Sequence, residues 1–250
     1  MAVDIALDAF AHGRCVERRG DVRGGGLASG AGPAEADAGT AEADACGREC
    51  LDGPLPTASM PVLEGPVVGP FSQDALGLNL VLSPDGYRAA RGCGCRESAA
   101  IGSAPLEWQG PGLYFEVLVL QTMDGWLGGL GIGVTHTRAV DLPRMPDKAW
   151  RVPDTFIAGY SGCAYLNGKE HGCHWQPEAL RAGQRVGCLI SRGGREDLII
   201  FVDGTEVFRA AGPALHEFGL RRAPLYPIVD VFNATRAVEL QPRAAAPRAQ

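Results

Sequence analysis

The alternation of apolar and polar positions reads as a succession of short strands. Asn79–Ser83 (NLVLS) is an apolar run stopped by Pro84-Asp85-Gly86, a tripeptide suited to a tight turn. Leu113–Leu120 (LYFEVLVL) is nearly all apolar and rich in β-branched and aromatic residues, which predicts a buried central strand. After the Met123-Asp124-Gly125 turn, Trp126–Thr135 (WLGGLGIGVT) places Gly at 129, 131 and 133 between larger residues. That spacing would weaken a helix and suits a strand that another backbone crosses closely. Thr155–Ala158 and Ala164–Leu166 are short strands around Gly159-Tyr160-Ser161-Gly162. Arg185–Ser191 and Asp197–Asp203 flank Gly193-Gly194 as a hairpin. Thr205–Ala210, Leu225–Phe232 and Ala237–Leu240 complete the set, with Pro227 pointing to a strand start or an edge. The strongest helical signal, Gln176–Arg181, is one or two turns long. The expectation is an all-β chain: a two-sheet antiparallel β-sandwich of nine or more strands.

This pattern does not extend to the ends. Residues 21–50 hold eight Ala and seven Gly and no aromatic residue. Such a segment buries too little apolar surface to offset the entropy of ordering it. Residues 1–65 are expected to be disordered, although Val3, Leu7 and Phe10 could share one face of a short helix. Residues 66–241 form the domain, and 242–250 a disordered tail. Charge divides at the same place. Residues 1–69 carry five Arg against eleven acids, whereas the remainder carries eighteen bases and eighteen acids. A neutral domain in a chain of net charge −6 argues against nucleic acid as a partner. No run of about 20 apolar residues exists, which argues against a membrane span. The N-terminus has neither the basic start nor the apolar core of a secretory signal, so the cytoplasm is expected, with the nucleus as the alternative. The eight cysteines are accordingly read as thiols, and none forms a C-x2-C pair, so no RING-type zinc knuckle is present in the sequence.

The ordered motifs resemble the neuralized homology repeat (NHR) domain, a relative of the SPRY sandwich. Asn79–Gly86 followed by Ala89-Ala90-Arg91 is similar to the family's L-S-x-D-G-x-x-A-x-R. Ala100-Ile101 and Ser103–Leu106, Phe115-Glu116-Val117, and Trp126 with Gly129-Leu130 and Ile132–Thr135 come next in family order. Met145-Pro146 with Ala149-Trp150, Gly183–Gly187, Ile200–Gly204, Leu225–Phe232 and Val238–Leu240 continue it over about 160 residues. The sequence departs from the family pattern at Gly102, at Cys93-Gly94-Cys95, and at Leu215–Arg222, which looks inserted. The resemblance implies a protein-recognition module, as in Neuralized-type E3 ubiquitin ligases, whose catalytic element is a separate RING. This implies a protein or peptide ligand, a ubiquitin-ligase component as a further partner, no cofactor and no catalysis by this domain. Two alternatives are a fragment of a longer RING-containing ligase and a lectin-like sandwich. The latter lacks the clustered carboxylate and Asn ligands that a calcium-dependent site needs.

SPRY-like sandwiches bind through loops on a rigid scaffold. The candidate partner-binding residues are Asp85, Arg88, Arg91, Trp126, Thr135, Tyr160 and Asn167. Arg88 and Arg91 could pair with acidic or carbonyl groups, and Trp126 and Tyr160 could serve as aromatic anchors. Several also have a structural reading: Asp85 as a turn former, Arg91 as a tie from a loop to a carboxylate, and Trp126 as core. Cys163, His171, Cys173 and His174 lie close in sequence, but their spacing does not match a zinc site. Ser161 falls one residue short of a G-x-S-x-G elbow and leads into a strand rather than a helix.

Overall fold

A computed structural model describes residues 67–191, 197–211, 218–219 and 224–247. The expected disordered segment 1–65, the Gly193-Gly194 turn and most of the Leu215–Arg222 insertion lie outside the described residues. In chain order the strands are β1 (Phe71–Leu76), β2 (Leu80–Leu82), β3 (Arg88–Arg91), β4 (Ala99–Gly102), β5 (Gly112–Thr122), β6 (Gly129–Thr135) and β7 (Thr155–Tyr160). They continue as β8 (Cys163–Leu166), β9 (Lys169–Gly172), β10 (Arg185–Ser191), β11 (Leu198–Val202), β12 (Thr205–Ala210), β13 (Tyr226–Asp230) and β14 (Thr235–Leu240). Among the described residues, helix comprises three 3-10 turns, one of them Pro177–Ala179 inside the expected Gln176–Arg181 stretch, and the helical position Phe218.

Two seven-stranded antiparallel sheets form, as the strand pattern predicts. One is ordered β1-β4-β13-β6-β7-β8-β9 and the other β12-β11-β10-β5-β14-β3-β2. Period-two alternation sorts the side chains. Along β5, Leu113, Phe115, Val117 and Val119 face the core between the sheets, where Val186, Cys188 and Ile190 of β10 join them. Full burial of each large side chain contributes roughly 1.5–3 kcal/mol, so this central layer dominates the apolar stabilisation.

The first sheet is buried on its outer face too. Ala139, Met145, Ala149 and Val152, from the strap between β6 and β7, pack on Ile101, Ile157 and Ile228. All six residues of β7 are therefore buried, and Phe156-Ile157-Ala158 reads as an unbroken apolar run. On the outer face of the second sheet, Tyr114, Leu189, Ile199 and Phe201 receive Ala244 and Ala246. Part of the segment expected to be a disordered tail thus lies on the sheet. Val68 N–H donates to the Pro242 carbonyl at 3.0 Å, so the domain's entry and exit points are adjacent.

Pro227 sits at the second residue of its strand, as a strand start would have it, but β13 is central rather than an edge. Its ring occupies the place of a side chain on Gly102, where an added Cβ would lie 2.5 Å from Pro227 Cγ. Close approach also explains the glycines of β6. A Cβ on Gly129 would meet the Pro177 backbone at 2.7 Å, and one on Gly131 the Tyr160 ring at 2.9 Å. On β10, a Cβ at Gly187 would collide with the buried Tyr114 hydroxyl and meet its ring at 2.7 Å. Gly187→Ala is expected to lower stability by about 1–3 kcal/mol, read as a fall in Tm. Gly110→Ala, with nothing within 4 Å of its Cβ, should leave Tm unchanged.

Candidate recognition surface

Strand register places the seven candidate residues at opposite ends of the sandwich. Arg91 pairs with Leu80, Thr122 with Thr235, and Tyr160 with Gly129. These positions, with Trp126, lie at one end, here called the rim. The Ser83–Arg88 turn, Thr135 and Asn167 lie at the other. Phe71 N–H bonds Gly86 O at 2.9 Å there, and Asn167 N–H bonds Thr155 O at 2.9 Å.

Three of the seven are not on the surface. Arg91, Thr135 and Tyr160 are buried. Thr135 Oγ1 donates to the carbonyls of Pro153 (3.2 Å) and Asp154 (3.1 Å) and accepts the Thr137 N–H (3.1 Å), which holds the strap's end. Tyr160, at a left-handed φ of 57°, lays its ring over Gly131 and donates to Asp230 Oδ2 at 3.1 Å. Arg91 lies two residues from Ala89 on β3, and period two therefore turns it inward. It ties loops together, but through carbonyls rather than the expected carboxylate.

The other four are accessible to different degrees. Asp85 is exposed and builds its turn: it accepts from the Ser83 hydroxyl and from Tyr87 N–H (3.1 Å), and the first of these bonds holds its carboxyl below its ordinary pKa. Arg88 is exposed and pairs with Glu239 at 3.3 Å, Asn167 is exposed at φ 47°, and Trp126 is half-buried.

The rim is built around Arg91. Its Nε donates to Val231 O (2.9 Å), its Nη2 to Asn233 O (2.5 Å) and Thr235 O (3.5 Å), and its Nη1 to Gly94 O. Met123 Sδ lies 3.7 Å from Nη2. One buried guanidinium thus joins the 92–98 loop, the 123–128 loop and the corner between β13 and β14. Burial lowers its pKa from the ordinary arginine value, and the carbonyl dipoles compensate the desolvated charge. Asn233, at φ 39°, adds a bond from Nδ2 to Leu127 O at 2.6 Å. Met123 N–H bonds Ala234 O at 2.7 Å, and Asn79 Nδ2 bonds Arg96 O at 2.8 Å. These pinned loops present Leu127 (65% exposed) and, beside β2, Leu78 (69% exposed) to solvent. Both leucines escape the sequence reading, which extends the strand back to Trp126; Gly128, at φ 75°, ends the extended run before β6.

A second polar cluster lies beneath the strap. Asp230, fully buried, accepts from Ser98 Oγ (2.8 Å), Ala149 N–H (3.1 Å) and Tyr160 Oη (3.1 Å). Lys148 Nζ stands 3.2 Å from the centroid of the Phe232 ring. Desolvation pushes the Lys148 amine down to about 8, against the opposing pull of Asp230. An acid within the apolar run Leu225–Phe232 is the sequence signal for this cluster.

The described cysteines and histidines are dispersed. Cys188 is buried, and desolvation raises its pKa far above the ordinary thiol value. Cys163 donates to Glu170 Oε1 at 3.3 Å, and desolvation pushes it up to about 11. Cys173 is buried, whereas His171 and His174 are exposed. Among the described residues, no group of three or more His, Cys, Asp or Glu could hold a metal ion. Cys93, Cys163, Cys173 and Cys188 are free thiols; Cys95 departs from the all-thiol expectation in being disulfide-bonded. No helix among the described residues is long and apolar enough to cross a membrane.

The Neuralized family model matches residues 71–242, the whole of the sandwich. The chain belongs to the Neuralized family. The crystal structure of the Drosophila melanogaster neuralized-NHR1 domain is similar at a TM-score of 0.50 and 17% identity, covering 72% of this chain and 100% of that one. The solution structure of the NHR domain in Neuralized from the same organism gives 0.50 and 19%, covering 72% and 93%. A human SPRY domain gives 0.46 and 19%, covering 67% and 97%. A search of curated proteins found no match. Neuralized domains are, as a class, protein-interaction modules, and the all-β sandwich expected from the resemblance is the fold observed.

Two outcomes are expected for this Neuralized domain. Arg91→Met strands several buried carbonyls and should cost about 2–4 kcal/mol, with faster amide exchange in the 92–98 and 123–128 loops. For Lys148, a folded pKa of about 8 lies below the ordinary 10.5. Between those values the unfolded chain retains a proton the folded chain has released, so this group's contribution to stability rises with pH across that window. The Tm of wild type minus that of Lys148→Met should therefore increase by a few degrees between pH 7 and pH 9.5.

Proposed function

We propose that this Neuralized domain recognises a short protein segment at its rim, with Trp126 and Leu127 as apolar anchors and Leu78 extending the surface along the same end. The observation that carries this reading is the exposure of Leu127 on a loop held by Arg91, Asn233 and Ala234. Loops fixed before binding lose little further entropy when a ligand docks. The turn end, with Asp85, Arg88 and Asn167 exposed, is the competing surface. A role as substrate adaptor in ubiquitin-ligase pathways is the finer reading that family membership supports.

The full chain would be used to select random 12-residue peptides by phage display, and affinities would be measured by fluorescence anisotropy. Leu127→Asp is expected to weaken a selected peptide by roughly tenfold or more, with Trp126→Ala acting in the same direction. The double variant Asp85→Ala/Arg88→Ala should bind as wild type. The reverse pattern would move the site to the turn end. For the adaptor role, capture from lysate should recover a ligase subunit together with a client, both lost with Leu127→Asp. A client recovered without ligase components would remove ubiquitin from the account.

A further inference from the structure

The sandwich has four sheet edges among the described residues, and three carry charges or irregularities that discourage strand pairing. The first sheet ends in β1, whose register breaks in an irregularity and whose Asp74 N–H is occupied by Ser72 Oγ at 3.1 Å. Its other edge, β9, begins Lys169-Glu170-His171, all exposed. In the second sheet, β12 carries Glu206 and Arg209, joined as an ion pair. Charges and irregularities of this kind protect edges from unintended pairing. The fourth edge is β2, Leu80-Val81-Leu82, protected by its shortness alone; it contains no charge and its Val81 is 64% exposed.

The hydrogen-bond phase of β2 shows which groups it offers. Ser83 N–H bonds Arg88 O at 2.9 Å, and Gly92 N–H bonds Asn79 O at 2.8 Å. With Val81 opposite Ala90, the bonded positions are 79, 81 and 83, so Leu80 and Leu82 turn their backbone groups away from β3. The Leu80 N–H is used by Gly77 O at 3.0 Å. The Leu82 N–H and the carbonyls of Leu80 and Leu82 therefore face outward, without a backbone partner among the described residues. Val81 stands on the outer face beside them, while Leu76 and Leu82, partly buried, border the core on the inner side.

We propose that β2 takes up an extended, uncharged peptide strand from a protein partner and so lengthens the second sheet. Backbone bonds to Leu80 and Leu82 set its register. Its alternate side chains pack outward on Val81 and inward beside Leu76 and Leu82. The edge leads through Asn79 to Leu78, so the added strand is continuous with the rim and rests on the reading of the rim as the recognition surface. A second copy of the chain is the weaker occupant. Three residues span roughly 10 Å, too short a ladder to bury by itself the roughly 800 Å² per partner of a stable dimer.

The test uses the full chain and the selected 12-residue peptide. Each peptide residue is N-methylated in turn, and anisotropy is measured against wild type, Val81→Lys, Leu127→Asp and, on the opposite edge, Val207→Lys. Strand addition predicts losses of roughly tenfold at every second methylated residue within one stretch, with tolerance between them. Val81→Lys should weaken binding similarly and Val207→Lys should not. Uniform tolerance of N-methylation, or indifference to Val81→Lys while Leu127→Asp still abolishes binding, overturns strand addition and leaves the rim reading standing. Indifference to both variants, or an empty selection, overturns both. A dimer in sedimentation velocity that Val81→Lys dissociates assigns the edge to a second copy and overturns the proposal.

Discussion

The segment that crosses from β13 in one sheet to β14 in the other is gripped from both sides. Toward the rim, Arg91 collects the carbonyls of Val231, Asn233 and Thr235. Beneath the strap, Asp230 accepts from Ser98, Ala149 and Tyr160. Both are buried ionisable groups, and each would be costly without its set of partners. Because β13 and β14 are central strands, this crossing fixes how the two sheets meet. The loops that form the rim and the strap that covers the first sheet both depend on it.

The two grips act on different parts of the molecule. Arg91 binds irregular backbone, so removing it would loosen loops while leaving the apolar layer between the sheets in place. Asp230 binds the start of the Ala149–Arg151 turn and the Tyr160 phenol, so it holds a covering layer onto a sheet. The surface available to a partner is thus supported by backbone-directed hydrogen bonds rather than by ion pairs at its margin, and it should be less sensitive to salt than exposed charge pairs are.

The sheet-forming segments are legible in the sequence because alternation and turn residues carry their own physics. Arg185–Ser191 and Thr205–Ala210 match β10 and β12 at both ends. Shorter or less apolar strands escape it: Lys169–Gly172 has no apolar pattern, and Phe71–Leu76 places polar Ser72, Gln73 and Asp74 together. The candidate site is less legible. Arg91 reads as a loop residue, although its spacing from Ala89 turns it inward once Arg88–Arg91 is a strand. Tyr160 reads as exposed because sequence does not reveal that the strap covers the outer face of the first sheet. Leu78 and Leu127 escape for a complementary reason: an apolar residue next to an apolar strand reads as core, and only the turn geometry at Gly128 shows otherwise.

The bond between Val68 and Pro242 has a consequence for any longer polypeptide that contains this domain. Traction applied through the residues before β1 and after β14 meets at this one contact, so it loads the Val68–Pro242 bond before it reaches the sheets.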